Sequence, residues 1–266
     1  MASIFRRVTG RPARRLCTVA LVALAAAGCF NRNPTTTGSI DPQATRQMSQ
    51  SDLRAHAEAL AERHARNPDD VQVTVAYASV LRRLDQRAQA VAVLQSASIR
   101  TPDNMELLGA YGRALAGVGR FEEADSVLAR AHLPENPDWR ILSAQGTVAD
   151  QLGDQERARG YYEAALRIQP DEPSILSNYG LSLALANELP RAESKLRQAA
   201  EHPRADKRVR QNLALVLGLS GKFDEAEKVL ARDLSRQEVA ESLESIRAMM
   251  SERNSWAAIR EADAGS

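Results

Sequence analysis

PSILSNYGLSLALANELPRAESKLRQAAEHPRAD, residues Pro173 to Asp206, decides the fold because it is one copy of a unit that recurs every 34 residues. Copies begin at Val71, Met105, Trp139, Pro173 and Lys207, and five columns align between them. Ala78, Gly112, Gly146, Gly180 and Ala214 form a column of small side chains; twelve residues on, Ala90, Ala124, Ala158, Ala192 and Ala226 form another. Leu94, Leu128, Tyr162, Leu196 and Leu230 are large and apolar throughout. Ala97, Ala131, Ala165 and Ala199 agree, and Asp233 breaks that column in the last copy. Asp85, Gly119, Gly153, Asn187 and Gly221 are residue types that tolerate a positive φ.

Each copy therefore carries two apolar-periodic segments split by a positive-φ turn, which predicts a helix A, a tight turn and a helix B. The small residues let the two axes approach closely, and the Leu or Tyr column fills the space beside them. Pro68, Pro102, Pro137, Pro170 and Pro203 stop helix B, and a following Asp or Asn, as in Pro68-Asp69-Asp70 or Pro170-Asp171, caps the next helix. The pattern resembles the tetratricopeptide repeat, whose period is 34. The expected fold is all-α: a right-handed superhelical solenoid of antiparallel helix pairs with a capping helix at each end. Five repeats are expected over residues 71–234.

Ahead of them, residues 1–28 contain Arg6, Arg7, Arg11, Arg14 and Arg15, no acid, and the apolar run Leu16 to Ala27. This reads as a secretory signal, too short for a comfortable transmembrane helix. Ala26-Ala27-Gly28-Cys29 resembles a bacterial lipobox, so Cys29 is the expected lipidation site. Cys17 leaves with the signal, and the mature chain has no thiol for disulfide, redox or cysteine-metal chemistry. Loss of five arginines moves the formal charge from +1 to about −4, which argues against a nucleic-acid partner. Residues 29–50 are rich in Asn, Thr, Gln and Ser and read as a disordered tether reaching roughly 25 Å from the bilayer. Acyl chains on Cys29 would hold the chain to the membrane. A non-aspartate, Phe30, after the cysteine points to the outer membrane, periplasmic face.

Residues 51–68 predict a lone helix covering the first repeat, and residues 235–254 a closing helix that starts with a Ser235/Glu238 capping box, bears Val239, Leu243, Ile246 and Met250 on one face and seals the last repeat. Residues 255–266 read as a loosely attached tail. No enzyme is expected: His56, His64, His132 and His202 lie in separate elements and read as surface histidines, and no HExxH, GxSxG or glycine-rich phosphate loop occurs. No cofactor, metal or small-molecule substrate is implied.

The repeat resemblance implies a concave wall built from helix A that holds a segment of another protein. Family positions place Arg140, Ser177, Asn178, Leu181, Leu185, Arg208, Gln211, Asn212, Leu215 and Leu219 on it. Asn178 and Asn212 match the family asparagine that bonds a bound peptide backbone, whereas the first three copies carry Ala76, Ala110 and Ala144 there. Copies three to five are thus the expected binding half, suited to an apolar or helical segment with a nearby acid. Leu185 and Leu219 could instead pack between helices. Finally, Asn212 to Ser235, NLALVLGLSGKFDEAEKVLARDLS, followed by one closing helix, resembles the TadD-type tetratricopeptide lipoproteins of tight adherence (Flp) pilus assembly, as does the order of signal, cysteine, tether and repeats. That resemblance implies a non-enzymatic scaffold assisting assembly or placement of the pilus secretin. Alternatives are an adaptor for cell-wall hydrolases or a periplasmic protease, or a type IV pilotin.

Overall fold

The computed structural model describes residues 48–264, with the backbone alone over residues 252–264. The expected signal, Cys29 and nearly all of the tether lie outside the described residues. Among these, the chain forms twelve helices and no strand, with one isolated bridge between Leu133 and Asn136. After α1 (Gln50–Arg66) come five pairs: α2 (Val71–Arg83) and α3 (Arg87–Arg100), α4 (Met105–Gly117) and α5 (Phe121–Leu128), α6 (Trp139–Gln151) and α7 (Gln155–Ile168), α8 (Pro173–Leu185) and α9 (Leu189–Glu201), α10 (Lys207–Leu219) and α11 (Phe223–Leu230). Helix α12 (Arg236–Ala264) closes the array. Each helix packs on its neighbours in sequence, and each helix A also touches the next helix A.

The A-to-B turn repeats one device. Asp85, Gly119, Gly153, Asn187 and Gly221 all have φ between 60° and 82°. The next residue donates its N–H back across the turn, as in Gln86 to the Leu81 carbonyl (2.9 Å) and Lys222 to Leu217 (2.8 Å). This Schellman closure satisfies carbonyls that the helix end would leave bare. Asp70, Asn104, Asp138 and Asp206 cap the following helices A with their side chains. Copy four departs from expectation: Glu172, not Asp171, caps α8, and Asp171 adopts φ 58°. Pro173 at the first helical position fixes its own φ and disfavours the helical region for the residue before it, so Glu172 takes the extended conformation of a cap.

Within a pair the small columns work by absence of atoms. A Cβ added at Gly112 would lie 2.5 Å from Leu128 Cγ, at Gly146 2.7 Å from Tyr162 Cε1, and at Gly180 2.6 Å from Leu196 Cγ. Ala90, Ala124, Ala158, Ala192 and Ala226 are fully buried on the facing helices. The core falls into two main clusters that share α6: Ile141 and Val148 belong to the first, Leu142 and Ala149 to the second. Across the B helices, Arg157 pairs with Asp125 (2.8 Å), Lys222 with Glu193 (2.9 Å), and Arg197 with Glu225.

Helix α5 ends after 8 residues, as the irregular His132 to Pro137 stretch predicts; α11 is equally short. At the C-terminus, Ser235 N–H donates to Glu238 Oε2 (2.7 Å) and Glu238 N–H to Ser235 Oγ (3.4 Å), the expected capping box. Val239, Leu243 and Ile246 are buried against α10 and α11, and a Cβ at Gly218 would strike Ile246 Cγ2 at 2.5 Å. Helix α12 runs on to Ala264, through most of the segment expected as a loosely attached tail, since no glycine or proline occurs between Arg236 and Ala264 and alanine favours continuation. Asp233 pairs with Arg210 (2.7 Å), so the residue that breaks the alanine column anchors the last turn to α10.

Candidate protein-binding wall

The exposed side of helices A divides into two chemically different halves. In copies four and five it is apolar. Leu185 is 58% exposed, which places it on the surface instead of between helices. Leu181, Leu215 and Leu219 are half-buried, as are Gln211, Asn178 and Asn212, and Arg208 is exposed. Exposed Arg140 stacks over the Trp139 ring at 4.4 Å and lies 3.8 Å from Asp138.

The two asparagines already have partners. Asn178 Nδ2 donates to Ser143 Oγ (3.2 Å) and Asn212 Nδ2 to Ser177 Oγ (2.9 Å), each reaching 35 residues back to the preceding helix A. Ser177, expected on the wall, is in fact 1% exposed: its hydroxyl is covered by Asn212 at the contact between successive helices A. A serine at position five followed, one repeat later, by an asparagine at position six is the sequence signal for this bond. Each amide keeps a second N–H and its carbonyl for another partner.

Below the wall, in copy three, lies a buried polar knot. Tyr162 OH donates to Asp150 Oδ2 (3.0 Å) and lies 3.2 Å from Thr147 Oγ1, while Ser182 Oγ donates to Asp150 Oδ1 (2.7 Å). The Tyr162 ring stacks on Tyr179 with centroids 5.5 Å apart. Burial raises the Asp150 carboxyl above its ordinary range, against the Ser182 and Tyr162 hydroxyls and the Arg159 charge, and burial likewise raises Tyr162. These are hydroxyls serving a carboxylate, with no base beside a nucleophile, so the arrangement holds α6 to α7 and α8 and offers no acyl or phosphoryl chemistry.

A raised folded pKa means that the native state holds the Asp150 proton more tightly than the unfolded chain does. The stability from that proton is complete below the unfolded value of about 3.9 and is lost as pH rises through the folded value. Relative to Asp150→Asn, the wild type should therefore gain stability on acidification from neutral pH toward about pH 4. Urea midpoints of both proteins across that range check this, and a constant or opposite difference would contradict it.

The first half of the wall is cationic, and the column pattern did not reveal it. Arg82 at position twelve of copy one, Arg113 at position nine of copy two and Arg140 at position two of copy three cross successive helices α2, α4 and α6. Arg83 follows Arg82, with a buried Nη1 that has no hydrogen-bond partner. The histidines also differ from expectation. All four are half-buried; His64 Nδ1 is 2.9 Å from the buried Thr74 hydroxyl, and His132 Nε2 is 3.2 Å from Gln145 Oε1. Those two partners are core-facing polar residues of the adjacent helix A. Among the described residues no three His, Cys, Asp or Glu side chains are grouped to hold a metal, and no helix is long and apolar enough to cross a membrane.

Residues 140–172, helix A and helix B of copy three, match the tetratricopeptide repeat family. No curated protein matches the chain in sequence. Solved structures do share its fold. PilW, a widely conserved type IV pilus biogenesis factor, superposes with a TM-score of 0.62 at 18% identity, over 77% of this chain and 94% of that one. A thermophilic tetratricopeptide protein of Thermus thermophilus gives 0.59 at 20%, over 67% and 99%. PilF of Pseudomonas aeruginosa gives 0.51 at 21%, over 68% and 82%. With its period of 34, its helix-pair packing and these likenesses, the described chain has the all-α fold of a tetratricopeptide solenoid.

Proposed function

We propose that the protein is a non-enzymatic scaffold, anchored through Cys29 at the periplasmic face of the outer membrane, that holds a segment of another protein on the helix A wall of copies three to five. The observation that carries this reading is the leucine face of α8 and α10, with Leu185 58% exposed, on the same two helices as the asparagines that keep free hydrogen-bonding capacity. A stable surface that leaves such a face open is suited to an apolar or helical segment. The client is a secretin or another component of Flp pilus assembly, as the resemblance of Asn212 to Ser235 implies; PilW, a pilus biogenesis factor, uses the same fold. That likeness also favours a second reading, a pilotin of a type IV system. Lipidation raises the concentration of the wall where a membrane-bound client is assembled.

Cys29→Ala should leave the fold intact yet abolish pili or secretin multimers, read by pilus counts and by heat-resistant multimers on gels. Normal pili from the unlipidated protein would contradict the anchored scaffold.

A further inference from the structure

Three guanidiniums and a fourth beside them sit on the first half of the wall without acids to match. Among the described residues, Arg82, Arg83 and Arg113 form no ion pair, and Arg140 has only the Asp138 contact at 3.8 Å. Elsewhere eleven described arginines are ion-paired, such as Arg100 with Asp69, Arg157 with Asp125 and Arg204 with Glu172, and the unpaired ones, Arg54 and Arg208 among them, do not stand on three successive helices A. Arg113 lays its side chain back over Gly109, where an added Cβ would stand 3.4 Å from Nη1 and 2.5 Å from Ile141 Cδ1. The glycine thus leaves room for Ile141 of α6, next to Arg140 in the chain, with the Arg113 guanidinium in ordinary contact at the same spot.

Arg82 is exposed, yet burial is the leading cause that lowers its pKa, with the charge of Arg87 adding to it. Arg82 stands on a helix A, and the helix A side of a solenoid of stacked helix pairs is its concave side. Arg113 is lowered first by burial and next by Arg82; Arg140 adds to this, and Asp138 and Glu106 oppose it without pairing. The fold therefore gathers like charges in a recess where their mutual repulsion is poorly screened.

We infer that this arginine row, Arg82 to Arg113 to Arg140, is the seat for an acidic stretch of the partner segment, so that a client lays carboxylates across copies one to three and apolar residues across copies four and five. The inference rests on reading the wall as a protein-binding surface. Directly packed helices stand about 8–10 Å apart, and positions twelve, nine and two step back along them by three and seven residues, so the arginines run diagonally across the wall. An extended chain, at about 3.3 Å per residue, can follow that diagonal with carboxylates spaced along it. Charge complementarity selects a peptide over other anions. A nucleic acid would meet Glu106 and Asp138 beside the arginines and a chain whose formal charge is about −4 without its first 28 residues. A flat bilayer surface cannot enter a concavity.

The test uses the full chain and two fluorescein-labelled peptides, one with glutamate at every third position and its glutamine twin, read by polarisation. The glutamate peptide should bind, more weakly as salt rises, and the glutamine twin should not. Arg82→Gln with Arg113→Gln should weaken binding by at least about tenfold, whereas Arg54→Gln, exposed on α1, should change nothing. The glutamate peptide carries no apolar residues, so failure of the leucine-wall reading would show in client binding at copies four and five and not here. Because the arginines lack acids, the Arg82→Gln, Arg113→Gln protein should melt at the wild-type temperature or higher. A lower melting temperature with binding retained would make them structural. Equal affinity for the two peptides, no binding of either, or tighter arginine-dependent binding of a DNA oligonucleotide would overturn the inference.

Discussion

Tyr162→Ala is expected to lower stability by about 3–5 kcal/mol, the usual cost of emptying a buried aromatic site. The ring is 1% exposed, stacks on Tyr179, and occupies the space opened by Gly146, so its removal leaves a cavity between α6 and α7. It also removes one of the two hydroxyls that serve Asp150. Tyr162→Phe keeps the ring and loses only the hydroxyl, and should cost about 1–2 kcal/mol, because Ser182 still donates to Asp150. Urea unfolding of the three proteins separates the packing and polar contributions. Equal losses in the Phe and Ala variants would mean that the hydroxyl, and not the ring, holds copy three together.

Ala158→Leu should cost about 1–3 kcal/mol by overpacking. Ala158 is fully buried on α7 where that helix meets α6, and the space around it is already filled by Tyr162 one turn on. Arg140→Ala, on the exposed side of α6, should stay within about 0.5 kcal/mol of wild type. Equal losses at the two sites, measured as shifts in urea midpoint, would mean that the packed and open faces of copy three are exchanged.

Much of this fold was legible because the repeat imposes one geometry on five different local sequences. Every helix A begins on the predicted residue, Val71, Met105, Trp139, Pro173 and Lys207, and every residue of the positive-φ column adopts that conformation. Both features are fixed within one unit: small residues where axes approach, and a left-handed residue where the chain reverses. What escaped depends on contacts between units or on a single copy. Glu172 took the capping role from Asp171 because Pro173 stands only in copy four. Ser177 was placed on the wall, but position five lies where one helix A meets the next, and an asparagine 35 residues on covers it.

The arginine row was invisible for a related reason. Its members occupy positions twelve, nine and two of different copies, so no column records them; only the stacking of α2, α4 and α6 brings them to one recess. The run of α12 through residues 255–264 was missed because the segment has weak apolar periodicity, although its alanines and its lack of glycine or proline before Gly265 favour continuation.

The central claim is that the helix A wall, and not the back of the solenoid, engages the protein partner. A photoreactive amino acid placed at Leu185, 58% exposed on the wall, and separately at Ile99, 76% exposed on α3, tests it directly in cells that carry the native partners. Illumination should yield a discrete crosslinked protein from position 185, identified by mass spectrometry as a secretin or pilus component, and none from position 99. The same crosslink from both positions, or one from Ile99 alone, would contradict the account.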